Sequence, residues 1–353
     1  MQPLRIGIIG CGVIGQKHAQ AAKATPGVEL VAVADVREEA ARKVASDHSV
    51  PHVFTDARKL IRHRDVDGVV LALTANLRTK LGLAALKAGK HLLTEKPAAM
   101  DVAELCKLIA AAEAAGRVAA CCSCRHSLLP SAKAAAGVIA SGTLGRLRVL
   151  RAKATLALGK PPTAPPPVWR VRHDLNAGGI MSNWGCYDLD YLLTVTGWTL
   201  RPRTVLAQTW SVGEAFADRV AEGSNAETHV AALIRCEGGS VITLERGEFL
   251  PIASETAWQI TGERGTLRLN LLPRAGNQVI LDEADPATGI TTRVVWTGDE
   301  TWDMAHFNPI ADFAAAVHEA RDPSSSLAHV LAIQQITSAI YASAATGKAV
   351  TIK

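Results

Sequence analysis

Three glycines, an aspartate and a lysine carry the clearest chemistry in this sequence. Gly10, Gly12 and Gly15 are spaced G-x-G-x-x-G directly after an apolar run, and Asp35 closes the next apolar run twenty residues after Gly15. In that setting the first glycine permits a tight turn and the second lets a pyrophosphate approach the backbone. The third allows a helix to pack closely on its strand. A helix opening through Val13 and Ile14 turns free N–H groups and a partial positive charge toward the anion. Asp35 stands where a carboxylate accepts from an adenosine ribose and repels a 2′-phosphate, so NAD is the expected cofactor. Arg37 stacks on adenine, pairs with such a phosphate, or is simply solvated, which leaves NADP open. Lys96 lies at the carboxyl end of a further apolar run, where ligands bind in open α/β sheets. An ammonium there can stabilise an alkoxide as hydride leaves, or relay its proton. A plain pairing with Glu95 is the alternative.

The elements that must position these groups alternate through the first third of the chain. Apolar runs at 4–9, 28–34, 68–73, 91–94 and 118–124 are separated by helical stretches reaching about 24 and covering about 38–46, 77–88 and 102–115. Runs that are continuously apolar, and linked by helices, predict a parallel sheet covered on both faces. Beyond residue 124 the pattern changes. A helix over 129–140 and a strand over 147–156 precede a proline-rich loop, Lys160 to Pro167, of the length that is often functional. A helix over 180–196 follows, then strands at 204–212, 229–236, 240–246, 257–261 and 266–270. Helices at 301–320 and 326–346 and a strand at 349–352 close the chain. Strands in sequence with short turns predict a large, mostly antiparallel sheet. The expected architecture is α/β, with a dinucleotide-binding domain over 1–124 and a substrate domain over 125–353. The last helix is free to pack back on the first domain.

Composition is consistent with this. The 353 residues are 48% apolar, 20% charged and only 4% aromatic, enough to fill two cores built mainly from aliphatic side chains. Net charge is +5 with the basic residues dispersed, so no nucleic-acid surface is expected. Seven cysteines include the cluster Cys121, Cys122 and Cys124. They fall in an apolar run without zinc-type pairing and read as buried thiols in a reducing cytoplasm, with no metal site. Neither a signal segment nor a bilayer-spanning run is read, so a cytoplasmic protein without membrane contact is expected.

The glycine loop followed by His18, then Ala88-Gly89-Lys90-His91 leading to Glu95-Lys96-Pro97, resembles the Gfo/Idh/MocA oxidoreductases. The likeness extends through Arg125, Pro130, Gly178-Gly179 and the closing helix and strand. It implies an N-terminal Rossmann domain and a C-terminal α+β domain whose open sheet forms a homodimer or homotetramer interface. It also implies NAD(P)-dependent oxidation or reduction of a sugar, glycoside or cyclitol. By resemblance Lys96 is catalytic, with Thr74, Asn76, Glu95 and Pro97 beside the cofactor. Arg125, Trp169, Arg170, Asn183 and Asp190 are placed near substrate. Trp169 reads equally as a loop anchor.

The departures are informative. Where relatives carry Asp-x-Gly-x-His-x-x-Asp, this chain has Asn183, Tyr187 and Asp190, spaced to share one helix face. Glucose–fructose oxidoreductase also has tyrosine at the histidine position. An ordinary tyrosine titrates near pH 10, and an adjacent Lys96 ammonium would lower this by about 1–3 units, coupling Tyr187 and Lys96 as a proton relay. Thr79 replaces a further family histidine. Two other readings remain: a sugar- or dinucleotide-sensing protein without turnover, and an NAD-dependent glycoside-cleaving enzyme.

Overall fold

A computed structural model describes residues 2–353. The chain divides into two compact units, one running through Arg125 and taking in Asp303–Ala332, the other comprising His126–Trp302 and Ile333–Lys353.

The first unit is built on six strands: β1 (Leu4–Ile9), β2 (Val28–Ala34), β3 (His52–Phe54), β4 (Gly68–Leu71), β5 (His91–Thr94) and β6 (Ala119–Cys121). They are parallel in the order β3-β2-β1-β4-β5-β6. Helices α1 (Val13–Ala24), α2 (Glu38–His48), α3 (Ala57–Ile61), α4 (Ala75–Lys87) and α5 (Val102–Ala115) connect them. Continuous apolar strands are what such two-sided cover requires. Ile6 and Ile8 pack with Ala19, Val44 and Phe313 on one face, and Ile9, Val69 and Leu71 pack with Leu86, Leu105 and Leu108 on the other. The doubly wound fold is as expected. The last expected strand is shorter, because Cys122–Arg125 turns into a 3-10 helix after β6. The three-residue β3 was not anticipated, having no buried side chain to mark it.

The second unit contains α6 (Pro130–Ala140), β7 (Leu147–Ala157), α7 (His173–Asn176), α8 (Cys186–Val195) and strands β8 (Pro202–Trp210), β9 (His229–Cys236), β10 (Val241–Leu250), β11 (Glu255–Gly262), β12 (Gly265–Leu269), β13 (Asn277–Asp285) and β14 (Gly289–Gly298). After α9 (Trp302–Glu319) and α10 (Leu327–Thr346), β15 (Val350–Thr351) completes a nine-stranded sheet, β14-β13-β12-β11-β7-β10-β9-β8-β15. Only β7 and β10 run parallel; every other neighbouring pair is antiparallel. Alternate residues such as Leu150, Ala152, Ile234, Ile242 and Ile260 enter the core with Leu189 and Leu192 of α8.

Two features go beyond the sequence expectations. The hairpin β13–β14 occupies a span to which no element was assigned, because β14 is an edge strand exposed along most of its length and lacks an apolar alternation. The expected single helix over 180–196 opens instead as a π turn, Met181–Gly185, before α8 begins. That wider turn carries Asn183, while Tyr187 and Asp190 lie in the regular helix that follows.

Candidate active site

In the first unit the glycine loop leaves β1 at Ile9 and enters α1 at Val13. Gly10 has φ +97°, and a Cβ there would come within 2.3 Å of the Ala72 carbonyl. A Cβ on Gly15 would lie 1.9 Å from the Gly10 carbonyl. Gly12, in contrast, faces open space, with no side chain capping the helix it begins. These three environments match the three glycine roles: turn, approach and packing. Val13 is 80% exposed at the helix start and Ile14 is partly buried. The Asp35 carboxylate accepts from the Cys11 N–H at 2.8 Å and the Arg37 N–H at 2.9 Å, with the exposed Arg37 Nε 3.6 Å away. Each oxygen keeps lone-pair capacity for a ribose hydroxyl. The cradle and its acid therefore fit a dinucleotide.

Thr74 stands at the N-cap position of α4 without capping it through its side chain, and donates from Oγ1 to Asn76 Oδ1 at 2.7 Å. Lys96 precedes Pro97 in a cis peptide and its side chain is partly exposed, whereas Pro97 is buried. Glu95 and Arg125, read from the sequence as cofactor-side and substrate-side groups, meet one another in the interior at 4% and 5% exposure. Glu95 also bonds His18 Nε2 at 2.8 Å and accepts the Lys96 N–H at 3.2 Å. Burial alone would push this carboxyl up, but Arg125 and the His18 hydrogen bond overcome it and hold Glu95 well below the ordinary carboxylate range. The backbone of Lys96 is thus moored to a fixed negative charge that also grips α1 and the end of β6.

Arg78 is a further anchor, one that local motifs do not reveal. Its guanidinium binds the carbonyls of Leu73 and Pro97, tying the loop after β4 to the loop bearing Lys96. Thr79 donates to Glu104 at 2.7 Å, a structural bond.

In the second unit the segment carrying Asn183 is organised by Glu227. Its carboxylate accepts the N–H groups of Gly179 (3.0 Å) and Met181 (2.9 Å), while its backbone carbonyl takes that of Ile180 (2.9 Å). Three successive donors at the start of a helical segment are thereby satisfied, with negative charge placed favourably. Tyr341 donates to the same carboxylate at 2.9 Å. The contact explains the paired glycines: a Cβ on Gly179 would sit 1.8 Å from the Glu227 carbonyl, and one on Gly178, at φ +148°, 2.0 Å from the Tyr341 hydroxyl.

Tyr187 is buried in an aromatic group, edge-on to His126 with centroids 5.1 Å apart and 5.6 Å from Trp184. Trp302 closes the group on the far side of His126 and Trp184, at 5.9 and 6.4 Å. Trp184 is in turn covered by Arg246, whose guanidinium lies 5.0 Å above the ring and pairs with buried Asp188 at 2.8 and 2.9 Å. Asp190 is buried and accepts from Ser127 at 2.6 Å. Asn183 is partly exposed. On the proline-rich loop Trp169 is exposed, while Arg170 binds the buried Glu248 and lies 5.9 Å from the Phe249 ring. The three clustered cysteines are buried free thiols.

An oxidoreductase family with an NAD-binding Rossmann fold matches residues 4–122, and the GFO/IDH/MocA C-terminal domain matches residues 132–268. The chain belongs to the Gfo/Idh/MocA oxidoreductases. Myo-inositol 2-dehydrogenase of Thermotoga maritima is 25% identical over 75% of this chain and 74% of its own length. A dTDP-3,4-didehydro-2,6-dideoxy-alpha-D-glucose 3-reductase of Streptomyces violaceoruber is 29% identical over 91% and 87%. Levoglucosan dehydrogenase, solved in complex with NADH, shares the fold at TM-score 0.87 and 22% identity, each chain being covered in full.

The resemblance read from the glycine loop and the Glu-Lys-Pro tripeptide is thus borne out, and the NAD-binding character of the first half with it. Sequence reasoning missed His126, Arg78, Glu227 and Arg246. Arg78 acts on carbonyls five and nineteen residues away, Glu227 on donors 46 and 48 residues away, and Arg246 on a carboxylate 58 residues away. His126 alone had a local signal, standing next to Arg125. Among the described residues no helix is long and apolar enough to cross a membrane.

Proposed function

We propose that this protein is an NAD(P)-dependent oxidoreductase that transfers a hydride between nicotinamide and a secondary alcohol or ketone carbon of a sugar, glycoside or cyclitol. The observation that carries the reading is the fitted dinucleotide cradle together with a lysine moored at the adjacent strand end, in a chain whose curated relatives are named as inositol dehydrogenases and sugar reductases. Residues 1–124 bind the dinucleotide and 125–353 the substrate. Gly10, Gly12, Val13, Ile14 and Gly15 receive the pyrophosphate. Asp35 orients the adenosine ribose with Arg37 beside it, which favours NAD over NADP. Thr74, Asn76 and the segment Glu95-Lys96-Pro97 border the nicotinamide end.

The nicotinamide, when bound, accepts or donates the hydride. The protein's part is the proton. In the oxidative direction Tyr187, in its ionised form, would take the hydroxyl proton, and the Lys96 ammonium would stabilise the oxygen as charge develops. In reduction the same groups return the proton. Asn183 orients substrate through an amide that cannot ionise. Asp190, Arg125, Trp169 and Arg170 shape and support the substrate side. The alternative readings, a silent sensor or a glycoside-cleaving enzyme, gain no specific support.

A homodimer or homotetramer through the second unit's sheet is part of the proposal. Its outer face carries Val149, Leu206, Trp210 and Leu233, all at least 36% exposed, with Leu206 and Leu233 paired across β8 and β9. The protein acts in the cytoplasm on a small carbohydrate or polyol, without nucleic acid or membrane.

The test is a panel of sugars, cyclitols and glycosides with NAD+ and NADP+, read by absorbance of the reduced nicotinamide. Turnover of at least one polyol is expected, strongest with NAD+ and rising into mildly alkaline pH. In Tyr187→Phe, kcat should fall by about 10²–10⁴-fold, the ordinary share of a general acid or base. Unchanged turnover in that variant would remove Tyr187 from the reaction. Tight cofactor binding without turnover of any polyol would favour the sensor.

A further inference from the structure

Two groups of side chains in the first unit bring three ligand atoms within 4.8 Å of one another: His18, Glu95 and Cys122 in the interior, and His52, His63 and Asp65 near the surface. The interior group is poorly suited to a cation. Glu95 is already committed to Arg125, and burial pushes the Cys122 thiol well up, so the thiolate that would bind a metal is disfavoured. The second group has the opposite character, and we propose that His52, His63 and Asp65 form a binding site for a divalent transition metal of the zinc, cobalt or nickel class.

The geometry is close to what such an ion needs. His52 Nε2 lies 3.6 Å and His63 Nδ1 3.8 Å from the same oxygen, Asp65 Oδ2. Zinc bonds of about 2.0–2.1 Å in a tetrahedral arrangement place neighbouring ligand atoms about 3.3 Å apart. Each imidazole therefore needs to close on the carboxylate oxygen by only a few tenths of an ångström, and the two imidazole nitrogens lie within 4.8 Å of one another. The existing bond at His63 Nδ1, from the Asp65 N–H at 3.3 Å, is long and is what the metal would replace. The other carboxylate oxygen, Asp65 Oδ1, accepts from Arg5 at 3.3 Å, with Arg64 3.9 Å away. These contacts to Oδ1 leave Oδ2 aimed at the two imidazoles, which is how an outer group orients a ligand. All three side chains are between 24% and 38% exposed, so an ion can enter and retain water on its open positions. Two imidazoles with one carboxylate select borderline metals over magnesium or calcium.

The position gives the site a consequence. His52 opens the three-residue edge strand β3, and Phe54 at its other end accepts the N–H of Asp35 at 3.2 Å. Phe54 also lies 5.6 Å from the His63 ring. A metal joining His52 to His63 and Asp65 would clamp the short strand that holds the backbone of the dinucleotide-binding acid.

The experiment uses tag-free, chelator-treated full-length protein. Titration with Co²⁺ should give one equivalent of binding with visible d–d bands and no thiolate charge-transfer band, which excludes the exposed Cys106 as a ligand. With Zn²⁺ at about a hundredfold excess over Kd, the thermal midpoint should rise by about 5 °C or more. Both effects should be lost, with at least a tenfold drop in affinity, in His52→Gln and in His63→Gln. These half-exposed substitutions should leave the metal-free circular dichroism and midpoint unchanged. Failure to take up a stoichiometric ion, a thiolate band, or equal binding by the two variants would overturn the site.

Discussion

Glu227→Gln offers a direct test of how the second unit holds its chemistry-bearing segment. The carboxylate is 5% exposed and accepts three donors: Met181 N–H and Tyr341 O–H on one oxygen, Gly179 N–H on the other. Glutamine is nearly isosteric and its one oxygen can keep the first pair. Its amide nitrogen then confronts the Gly179 N–H, donor against donor. One buried donor left unsatisfied costs about 1–3 kcal/mol, and loss of charge from the two remaining bonds adds about 1 kcal/mol more. The total of about 2–4 kcal/mol corresponds to a rise of about 30- to 1,000-fold in local opening of the turn, at about 1.4 kcal/mol per factor of ten. Amide hydrogen exchange of Gly179, Met181 and Asn183 reads that opening directly. Steady-state kinetics should show kcat falling while KM for the cofactor, bound in the other unit, stays within a factor of two. Tyr341→Phe removes only one of the three donors and should cost about 1 kcal/mol. If exchange at these amides were unaltered in Glu227→Gln, the carboxylate would not be what organises the turn.

In Asp35→Asn the amide oxygen can keep only one of the two bonds, since the Cys11 and Arg37 N–H groups are accepted by different carboxylate oxygens, and the charge is gone. KM for NAD should rise about 10-fold or more while the NADP value changes less, and an unaltered cofactor ratio would exclude Asp35 as the ribose contact. His91 is lowered to about 4, first by burial and then by the Arg117 charge, and its Nδ1 accepts the Val118 N–H, which requires a neutral ring. Its folded value lies below the unfolded value of about 6.5, so its contribution to stability is complete above about pH 6.5 and disappears as pH falls toward 4. Allowing for partial exposure, this amounts to about 1–2 kcal/mol, and urea unfolding of His91→Gln across that window should show a flatter slope than the parent. Arg246→Met leaves Asp188 buried with only the Trp258 N–H at 2.8 Å, and a loss of about 3–5 kcal/mol is expected in the unfolding midpoint. Most of that loss should return when Asp188→Leu is added.

What was legible in the sequence is what folds from neighbours. Gly10, Gly12 and Gly15 act on one loop, and Asp35 ends the strand beside it. The geometry of each follows from a strand's end and a helix's start. The short β3 and the β13–β14 hairpin were illegible for the opposite reason. β3 buries none of its side chains fully and β14 is exposed along most of its length, so neither has a hydrophobic period to read, and the buried alternation of β13 (Asn277, Val279, Leu281) begins on a polar residue. The π turn at Met181–Gly185 was invisible because Glu227, the partner that grips its entry, arrives from the distant loop that precedes β9. Spacing placed Asn183, Tyr187 and Asp190 on one regular helix, whereas Asn183 lies in the π turn and the other two in α8. Glu95 shows the same limit. The tripeptide Glu-Lys-Pro marked the place, but only the fold shows that its acid faces inward to His18 and Arg125 while its lysine remains partly exposed.

Each unit therefore buries a carboxylate next to the residues expected to act: Glu95 beneath Lys96, and Glu227 and Asp188 around the segment from Gly179 to Tyr187. Burying charge is a poor route to stability, since desolvation consumes most of what pairing returns, and apolar residues of equal volume often do as well. It is a good route to a fixed geometry. A carboxylate with two or more bonded donors admits few arrangements of the backbone that supplies them, whereas an apolar contact tolerates sliding. Glu95 holds the Lys96 N–H, and Glu227 holds the N–H groups of Gly179, Ile180 and Met181. Asp188 holds Arg246, which covers the tryptophan beside Tyr187. All three therefore act on position. In the proposed reaction, proton transfer needs donor and acceptor within hydrogen-bond reach at the moment hydride moves, so small displacements of Lys96 or Tyr187 would matter more to rate than to stability. The buried carboxylates are accordingly read as the means by which an aliphatic, aromatic-poor protein fixes the backbone segments that lead into Lys96 and Tyr187.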